Sequence, residues 1–335
     1  MTLRRIALLA LTCVSLYLVG PAILDVFSSW PEVRGLDPFL MQLIVIAQGG
    51  VFACQWVLLH MALRERRWLN VVTSQLAATA ASRVLPGGGA AANALQYAML
   101  VRGGVPSATA ASGLTAVSLM ITGTVFALPA LALPAVIGGT GIDRDLARAA
   151  WAGAAALVLL VAAGALLLFK DGPLRTSGRL VQRAVDRLKR RERPPDELAE
   201  RLLLERDVIR DVLTSDWLKA VLATAGRWAF DYCSLLLALL AVGARPAPTA
   251  VLLAFCVAQA LALIPLTPGG LGFVEAGLTG TLALAGVAAG DALVAVLAYR
   301  LAAYWLPLPV GAVAYVVHGR SFPKSVRAAP AGPAA

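Results

Sequence analysis

The sequence predicts an all-α, polytopic integral membrane protein, built as an inverted repeat around two re-entrant hairpins of broken helices. Hydrophobic residues make up 59% of the 335 residues, charged residues make up 14%, and the mean hydropathy is +0.77. Such a composition excludes an ordinary soluble domain. Two Pro-Gly breaks, Pro86–Gly89 and Pro268–Gly270, interrupt apolar sequence, and Asn93 and Glu275 stand at equal distances after the two prolines. Interrupted apolar segments in matching positions of two halves are typical of a transporter's binding site.

The first half, residues 1–169, is predicted to hold four membrane spans and the first hairpin. Apolar runs of about 20 residues are long enough to cross a bilayer. Arg4 and Arg5 precede the first run without a cleavage site after it, which indicates an uncleaved helix. Two half-helices, together residues 70–101, are each too short to span and flank the first break. The predicted spans are Ile6–Val19, Phe39–Leu63, Ser107–Pro134 and Ala147–Phe169.

The second half, residues 217–320, is predicted to hold the spans Trp217–Val242 and Asp291–Val317, with the second hairpin, residues 249–285, between them. Loop charges place the open end of the first hairpin inside and that of the second outside, so the repeat is inverted and both termini lie inside. The Ala/Pro-rich tail 321–335 is predicted to be disordered. Arg-over-Lys and Ala-rich usage favours a bacterial source, hence the bacterial cytoplasmic (inner) membrane.

The polar segment 170–216 is predicted to be a helical hairpin on the inner, cytoplasmic face. The formal net charge of the chain is +10, and nine Lys or Arg against three Asp or Glu lie between Lys170 and Arg193. Positive loops of this kind stay on the inner side of a membrane. A nucleic-acid partner is not expected, because no aromatic residues interleave the basic ones. Four scattered cysteines and two histidines predict neither disulfides nor a metal, and no cofactor is expected.

The residues of the two breaks are candidate substrate-binding residues. Glycine permits a tight turn and leaves the amides of the next helix uncovered, where the partial positive charge of a helix N-terminus can hold a phosphate. Alternatively, these small residues only let two membrane helices pack closely. The candidates are Pro86, Gly87 and Gly88 in the first break and Pro268, Gly269, Gly270 and Gly272 in the second.

Charged and polar side chains near the breaks complete the candidate substrate site. Glu275 lies one to two turns into its half-helix, and a carboxylate inside a membrane is costly enough to suggest a function. It carries a proton or holds a cationic headgroup, or else it forms a structural ion pair with Arg300. Arg300 and Arg83 are candidate phosphate ligands, with neutralisation of Glu275 and snorkelling to the interface as the alternatives. Asn93 and Tyr304 are further candidates, Tyr304 being equally suited to a core or interface role.

Arg227 and Asp231 are four residues apart on one predicted span and share a helix face, so they are predicted to form a structural ion pair. Gln48 and Gln55 line the cavity or form interhelical hydrogen bonds. Gln96 opens the first exiting half-helix and is predicted to line the cavity. The sequence contains no recognisable nucleophile with its base and no nucleotide-binding loop, so enzymatic activity is not expected.

The second half resembles the lysylphosphatidylglycerol synthase transmembrane-region family. The resemblance is carried by Ile264–Gly277, Gly286-Val287, Tyr299–Leu301 and Tyr304–Pro307, and it extends over nearly the whole chain. The family is a flippase-like module, found alone or fused to an aminoacyl-lipid synthase. This chain is similar to the stand-alone membrane module, since no synthase domain follows Arg320.

The resemblance implies movement of a phospholipid or lipid-linked precursor between membrane leaflets. Two alternatives stand beside it: a membrane-embedded component of lipid-linked glycosyl or aminoacyl transfer, and a non-transporting scaffold for a separate lipid-modifying enzyme. The expected partner is therefore a membrane lipid substrate. A separate lipid-modifying enzyme and a homo-oligomer are both left open by the sequence.

Overall fold

The computed structural model describes residues 34–65, 67–85, 88–128, 217–262 and 270–323, together with scattered residues between 148 and 206. Four break residues lie outside the described residues: Pro86, Gly87, Pro268 and Gly269. The predicted span Ile6–Val19, nearly all of the predicted span Ala147–Phe169 and of the inner-face hairpin 170–216, and the tail from 324 onwards also lie outside them.

Within the described ranges the chain is all α-helical apart from turns, which confirms the predicted fold class. A π-helical turn, Leu301–Trp305, joins the last two helices. The helices are α1 Pro38–Leu63, α2 Trp68–Val84, α3 Gly88–Arg102, α4 Ser107–Ala127, α5 Trp217–Ala241, α6 Pro248–Ala262, α7 Phe273–Leu284, α8 Ala289–Arg300 and α9 Pro307–Ser321.

Three helical stretches are long and apolar enough to cross a membrane: Pro38–Leu63, Ser107–Val125 and Ala289–Ser321. The longest single helix, α1, begins at the N-cap Asp37, whose Oδ1 accepts from the Phe39 amide at 2.9 Å. It ends where Arg64 takes the left-handed conformation. Helix α5 is 25 residues long but carries charged residues along its length, and it is not among the three stretches.

Each Pro-Gly break separates two helices that pack against each other, α2 against α3 and α6 against α7. These helices have 17, 15, 15 and 12 residues, all short for a bilayer crossing. Gly270 and Gly272 have φ angles of 72° and 78°, which glycine adopts most readily, and they turn the chain into α7. The re-entrant course of both hairpins and their inverted relationship stay predictions.

The halves of the chain meet along α1 and α5, which pack closely because small residues lie at their contact. A Cβ atom on Gly50 would come within 2.8 Å of the Phe230 ring, and one on Gly226 within 3.1 Å of Cys54 Sγ. Helix α2 packs along α9 in the same way, with Gly311 against the Leu76 carbonyl. Close approach at small residues is the usual basis of helix association in membranes.

The predicted span Asp291–Val317 is a longer helical run that passes through the π-helical turn. The Leu306 amide donates to the Leu301 carbonyl at 2.9 Å, five residues back. Pro307 has no amide, so it cannot serve the Ala303 carbonyl four residues earlier. The wider turn and the proline therefore leave carbonyl groups available to side chains from other helices, and such turns are frequent at functional sites.

Candidate functional site

The ion pair between Glu275 and Arg300 lies at the centre of the candidate site. Arg300 Nε is 2.6 Å from Glu275 Oε1, and the two side chains are 11% and 16% exposed for Arg300 and Glu275 respectively. Helix α7 supplies the carboxylate and α8 the guanidinium. Both of these helices are largely apolar. The ion pair between Glu275 and Arg300, which the sequence offered as the alternative to a role in substrate binding, is thus present.

Tyr304 lies between two guanidinium groups. The Arg300 Cζ is 4.8 Å from the centre of its ring, and the Arg83 Cζ is 5.1 Å away. Both distances are within the range of a cation–π interaction. The Tyr304 hydroxyl donates to the Arg83 carbonyl at 2.9 Å. Tyr304 is therefore a partner of both arginines, a role that its position in the sequence did not reveal.

Arg83 reaches from the last turn of α2 to the π-helical turn. Its Nη1 donates to the Tyr304 carbonyl and its Nη2 to the Ala303 carbonyl, each at 2.5 Å. The Ala303 carbonyl is the group that Pro307 leaves without an intrahelical donor. Arg83 thus points inward to the π-helical turn, and its guanidinium lies beside the Glu275–Arg300 pair through the shared tyrosine.

In the described part of the chain, three polar atoms on α7 and α8 are buried and have no hydrogen-bond partner: Glu275 Oε2, Thr279 Oγ1 and Arg300 Nη2. Thr279 was not among the sequence candidates, although it follows Glu275 by four residues and so shares its helix face. Two arginines against one glutamate give the cluster a formal charge of +2 − 1 = +1. A cluster with one excess positive charge and unused hydrogen-bonding atoms can accept an anionic group.

The N-terminus of α7 is a different environment from the one predicted. The helix begins at Phe273 after the turn at Gly272, which places Glu275 in the first turn and not one to two turns in. A carboxylate in the first turn is stabilised by the partial positive charge of the helix N-terminus. Glu275 therefore supplies the negative charge at this end, and a phosphate would find its better donors on the arginines.

A second polar network surrounds Asp231 on α5. Its Oδ1 accepts from the Tyr299 hydroxyl at 2.9 Å and from the Gln48 amide at 3.0 Å, and its Oδ2 accepts from the Gln259 amide at 3.2 Å. Gln48 also donates to Ser234 at 2.7 Å. This buried carboxylate thus joins α1, α5, α6 and α8, and Gln48 forms the interhelical bond that was one of its two predicted roles.

Arg227 and Asp231 form no hydrogen-bonded ion pair in the described part of the chain, although the negative charge of Asp231 still stabilises the Arg227 cation. Within the described residues, Arg227 Nε and Nη1 are buried without a hydrogen-bond partner, and the Arg227 Cζ lies 4.0 Å from the Trp228 ring centre. The hydrogen bonds of Asp231 instead come from neutral donors on three other helices. The spacing of two residues on one helix predicts that they share a face, but it cannot show which residues of other helices bind the carboxylate.

Among the described residues of the first hairpin, Arg83 is the one that contacts this cluster. Asn93 is exposed on α3, and none of the cluster's hydrogen bonds or ring contacts involves it. Gly88 begins α3 with a φ of 40°. Instead, three glutamines link the first-half helices: Gln96 donates to Gln75 at 2.7 Å, and Gln75 donates to Gln55 at 3.3 Å. Gln55 and Gln96 thus take part in interhelical hydrogen bonds.

Comparison with known proteins agrees with the resemblance found in the sequence. Over 95 residues the chain is 35% identical to a UPF0104 membrane protein of Methanothermobacter thermautotrophicus. That match covers 28% of this chain and 27% of the relative, so it spans about a quarter of the relative's length. The family model for the lysylphosphatidylglycerol synthase transmembrane region matches residues 5–311. The chain is therefore a membrane protein that belongs to the lysylphosphatidylglycerol synthase transmembrane-region family.

Proposed function

We propose that the protein is a flippase-like transporter that moves a phospholipid or a lipid-linked precursor between the leaflets of the bacterial cytoplasmic membrane. The observation that carries this proposal is the Arg83–Tyr304–Arg300 stack with Glu275, which is enclosed by apolar helices. Charged groups in that setting are costly and mark substrate pathways in many membrane proteins. The formal charge of +1 suits a phosphodiester, which carries one negative charge.

In the mechanism we infer, the headgroup phosphate competes with Glu275 for Arg300. Among the described residues Arg300 Nη2 has no hydrogen-bond partner, so it donates to a phosphate oxygen first. Transfer of the Nε hydrogen bond from Glu275 to the phosphate then releases the carboxylate, which remains stabilised at the N-terminus of α7. Loss of the ion pair loosens α7 from α8. The acyl chains stay in the bilayer throughout.

The two hairpins would link the exchange of the ion pair to opening of the site on one side of the membrane. We infer that they enter from opposite faces, as an inverted repeat with both termini inside, and that each approaches the segment 300–304 from its own side. Arg83 binds this segment from the first hairpin and Glu275 binds it from the second. Exchange of the ion pair would then open one side while the other stays closed, which is alternating access around a fixed site.

Transport of labelled lipid in reconstituted liposomes tests the proposal. Vesicles containing fluorescent phosphatidylglycerol are treated with a membrane-impermeant quencher, and the rate at which inner-leaflet label becomes accessible is measured. Glu275→Gln and Arg300→Ala are expected to slow this rate roughly tenfold or more, because a hydrogen bond to a charged group contributes about 1.5–3 kcal/mol. Lys219→Gln, which removes a charge from the exposed start of α5, is the matched control. Wild-type rates in both site variants would contradict the proposal.

A second candidate function is a membrane scaffold for a separate lipid-modifying enzyme. The family description favours it, since it names the transmembrane region of a synthase. A scaffold predicts that wild-type proteoliposomes move label no faster than protein-free liposomes. It also predicts that addition of the synthase partner changes the partner's activity without net lipid movement.

A further inference from the structure

Arg227 is a half-buried cation, with Nε and Nη1 fully buried, that the proposed mechanism does not use. It lies fourteen residues before the end of α5 at Ala241, which is about 21 Å along the helix at 1.5 Å per residue. The hydrocarbon core of a bilayer is about 30 Å thick, so this position is near the middle of a helix of that length. A guanidinium at such a depth needs a partner.

The surroundings of Arg227 supply a counter-charge, Asp231, but no hydrogen-bond acceptor for two of its nitrogens in the described part of the chain. Its Nε and Nη1 are buried without a hydrogen bond in the described part of the chain. Asp231, one turn further along, is already bound by Gln48, Gln259 and Tyr299. The Trp228 ring lies 4.0 Å from the Arg227 Cζ and stabilises the cation, but a ring face offers no acceptor for the N–H groups.

We propose that Arg227 binds the phosphate of the transported lipid as a second binding position, distinct from the Arg83–Arg300 cluster. This inference rests on the proposed function, because a headgroup phosphate reaches the middle of the membrane only during transport. Guanidinium groups suit phosphate because they present several N–H donors in one plane. The unsatisfied nitrogens of Arg227 are then the donors that hold the phosphate.

The two binding positions are connected through consecutive residues of α8. Tyr299 donates to Asp231, one turn from Arg227, and Arg300 pairs with Glu275. A shift of α8 that accompanies release of Arg300 would therefore also act on the network around Asp231. A phosphate that leaves one position finds the second position on the neighbouring face of the same helix bundle.

Native mass spectrometry in detergent, with dihexanoyl phosphatidylglycerol as the probe, tests the second position. The wild type is expected to retain two probe molecules, and Arg227→Gln and Arg300→Ala are each expected to retain one. Lys219→Gln, the control on the same helix, is expected to retain two. Two molecules on Arg227→Gln, with one on Arg300→Ala, would overturn the inference.

Three further measurements keep the result interpretable. Inorganic phosphate is expected not to displace the probe from the Arg300→Ala variant; displacement would assign the Arg227 position to free anions and overturn the lipid assignment. If Arg227→Gln does not fold, Arg227→Lys replaces it and is expected to bind the second probe at least threefold more weakly, because lysine lacks the planar set of donors; equal binding would overturn the inference. Loss of the second probe in Arg227→Gln, with no lipid movement by the wild type in liposomes, would reject transport while leaving phosphate binding at Arg227 intact.

Discussion

The two hairpins contact the same short segment of the chain, residues 300–304, but with opposite charges. The first hairpin contributes the cation Arg83, which binds the Tyr304 and Ala303 carbonyls. The second contributes the anion Glu275, which binds Arg300. At the position that matches Glu275, the first hairpin has the exposed, neutral Asn93. The two hairpins therefore differ in their chemistry, and both contact one π-helical turn.

The same contrast extends to the polar networks inside the two halves. The first half has a chain of neutral amides, Gln55, Gln75 and Gln96, that connects α1, α2 and α3. The network of the second half is centred on the charged Asp231. Neutral amides contribute modestly to membrane helix association, whereas a buried charge is strongly unfavourable once a partner is removed. Substitutions in the second half should accordingly have the larger effects.

The largest effect is expected for Glu275→Ala, compared with Asn93→Ala at the matching position. Removing Glu275 leaves Arg300 buried without its counter-ion, which typically destabilises a protein by about 3–5 kcal/mol. Asn93 is exposed, so its substitution should change stability by less than about 0.5 kcal/mol. The measurement is the free energy of unfolding by sodium dodecyl sulfate in mixed micelles. Equal losses of unfolding free energy at the two positions would show that the charge difference between the hairpins does not affect stability.

A second comparison uses two glycines of the second half, one in contact with the first hairpin and one in contact within the second hairpin. A Cβ on Gly311 of α9 would meet the Leu76 carbonyl of the first hairpin, whereas one on Gly277 of α7 would meet the flexible end of Leu261. Gly311→Ala is expected to destabilise by about 1–3 kcal/mol through overpacking against backbone. Gly277→Ala is expected to be neutral or stabilising, since alanine favours a helix by about 1 kcal/mol and Leu261 can move. The same unfolding titration measures both, and a greater cost at Gly277 would contradict the structure.

Composition and periodicity predicted the fold class and the helical regions well, because apolar runs and Pro-Gly breaks act locally. The sequence also identified Glu275, Arg300 and Arg83 as candidates, since charged residues in apolar runs are conspicuous. It did not reveal that Tyr304 lies between two arginines. That contact depends on a π-helical turn, and on α2 meeting α9, which residue spacing along one helix cannot show.

The predicted Arg227–Asp231 pair illustrates the same limit for charges. The two residues share a helix face as expected, but Gln48, Gln259 and Tyr299 come from three other helices and bind Asp231 instead. Partners that are 28 to 183 residues away in sequence leave no local signal. A buried carboxylate binds the donors that tertiary packing brings to it, and in the described part of the chain Arg227 Nε and Nη1 have no acceptor.

A smaller effect is expected where the first-half network is interrupted. Gln75→Leu removes both hydrogen bonds of the glutamine chain, to Gln55 and to Gln96. Hydrogen bonds between membrane helices contribute about 0.6 kcal/mol on average, so the total loss should be near 1 kcal/mol. A matched Leu76→Gln variant, which places an amide on the adjacent helix face, separates loss of the bonds from a change of composition. A loss larger than that of Glu275→Ala would reverse the ranking of the two halves.

The smallest effect, on the rate of lipid movement, is expected when the negative charge lost in Glu275→Gln is supplied on the first hairpin. Asn93→Glu, introduced into the Glu275→Gln variant, restores the overall charge but places the carboxylate on an exposed position of α3. Because position 93 is exposed on α3 and makes none of the described contacts of Arg300, the new glutamate is not expected to pair with it. Lipid movement in liposomes should then stay at the level of Glu275→Gln alone. Recovery of transport would mean that the first hairpin can bring position 93 to Arg300, as an exchange of roles between the two hairpins requires. An unchanged rate would mean that only a carboxylate on the second hairpin can exchange with phosphate at Arg300. The first hairpin would then contribute only Arg83.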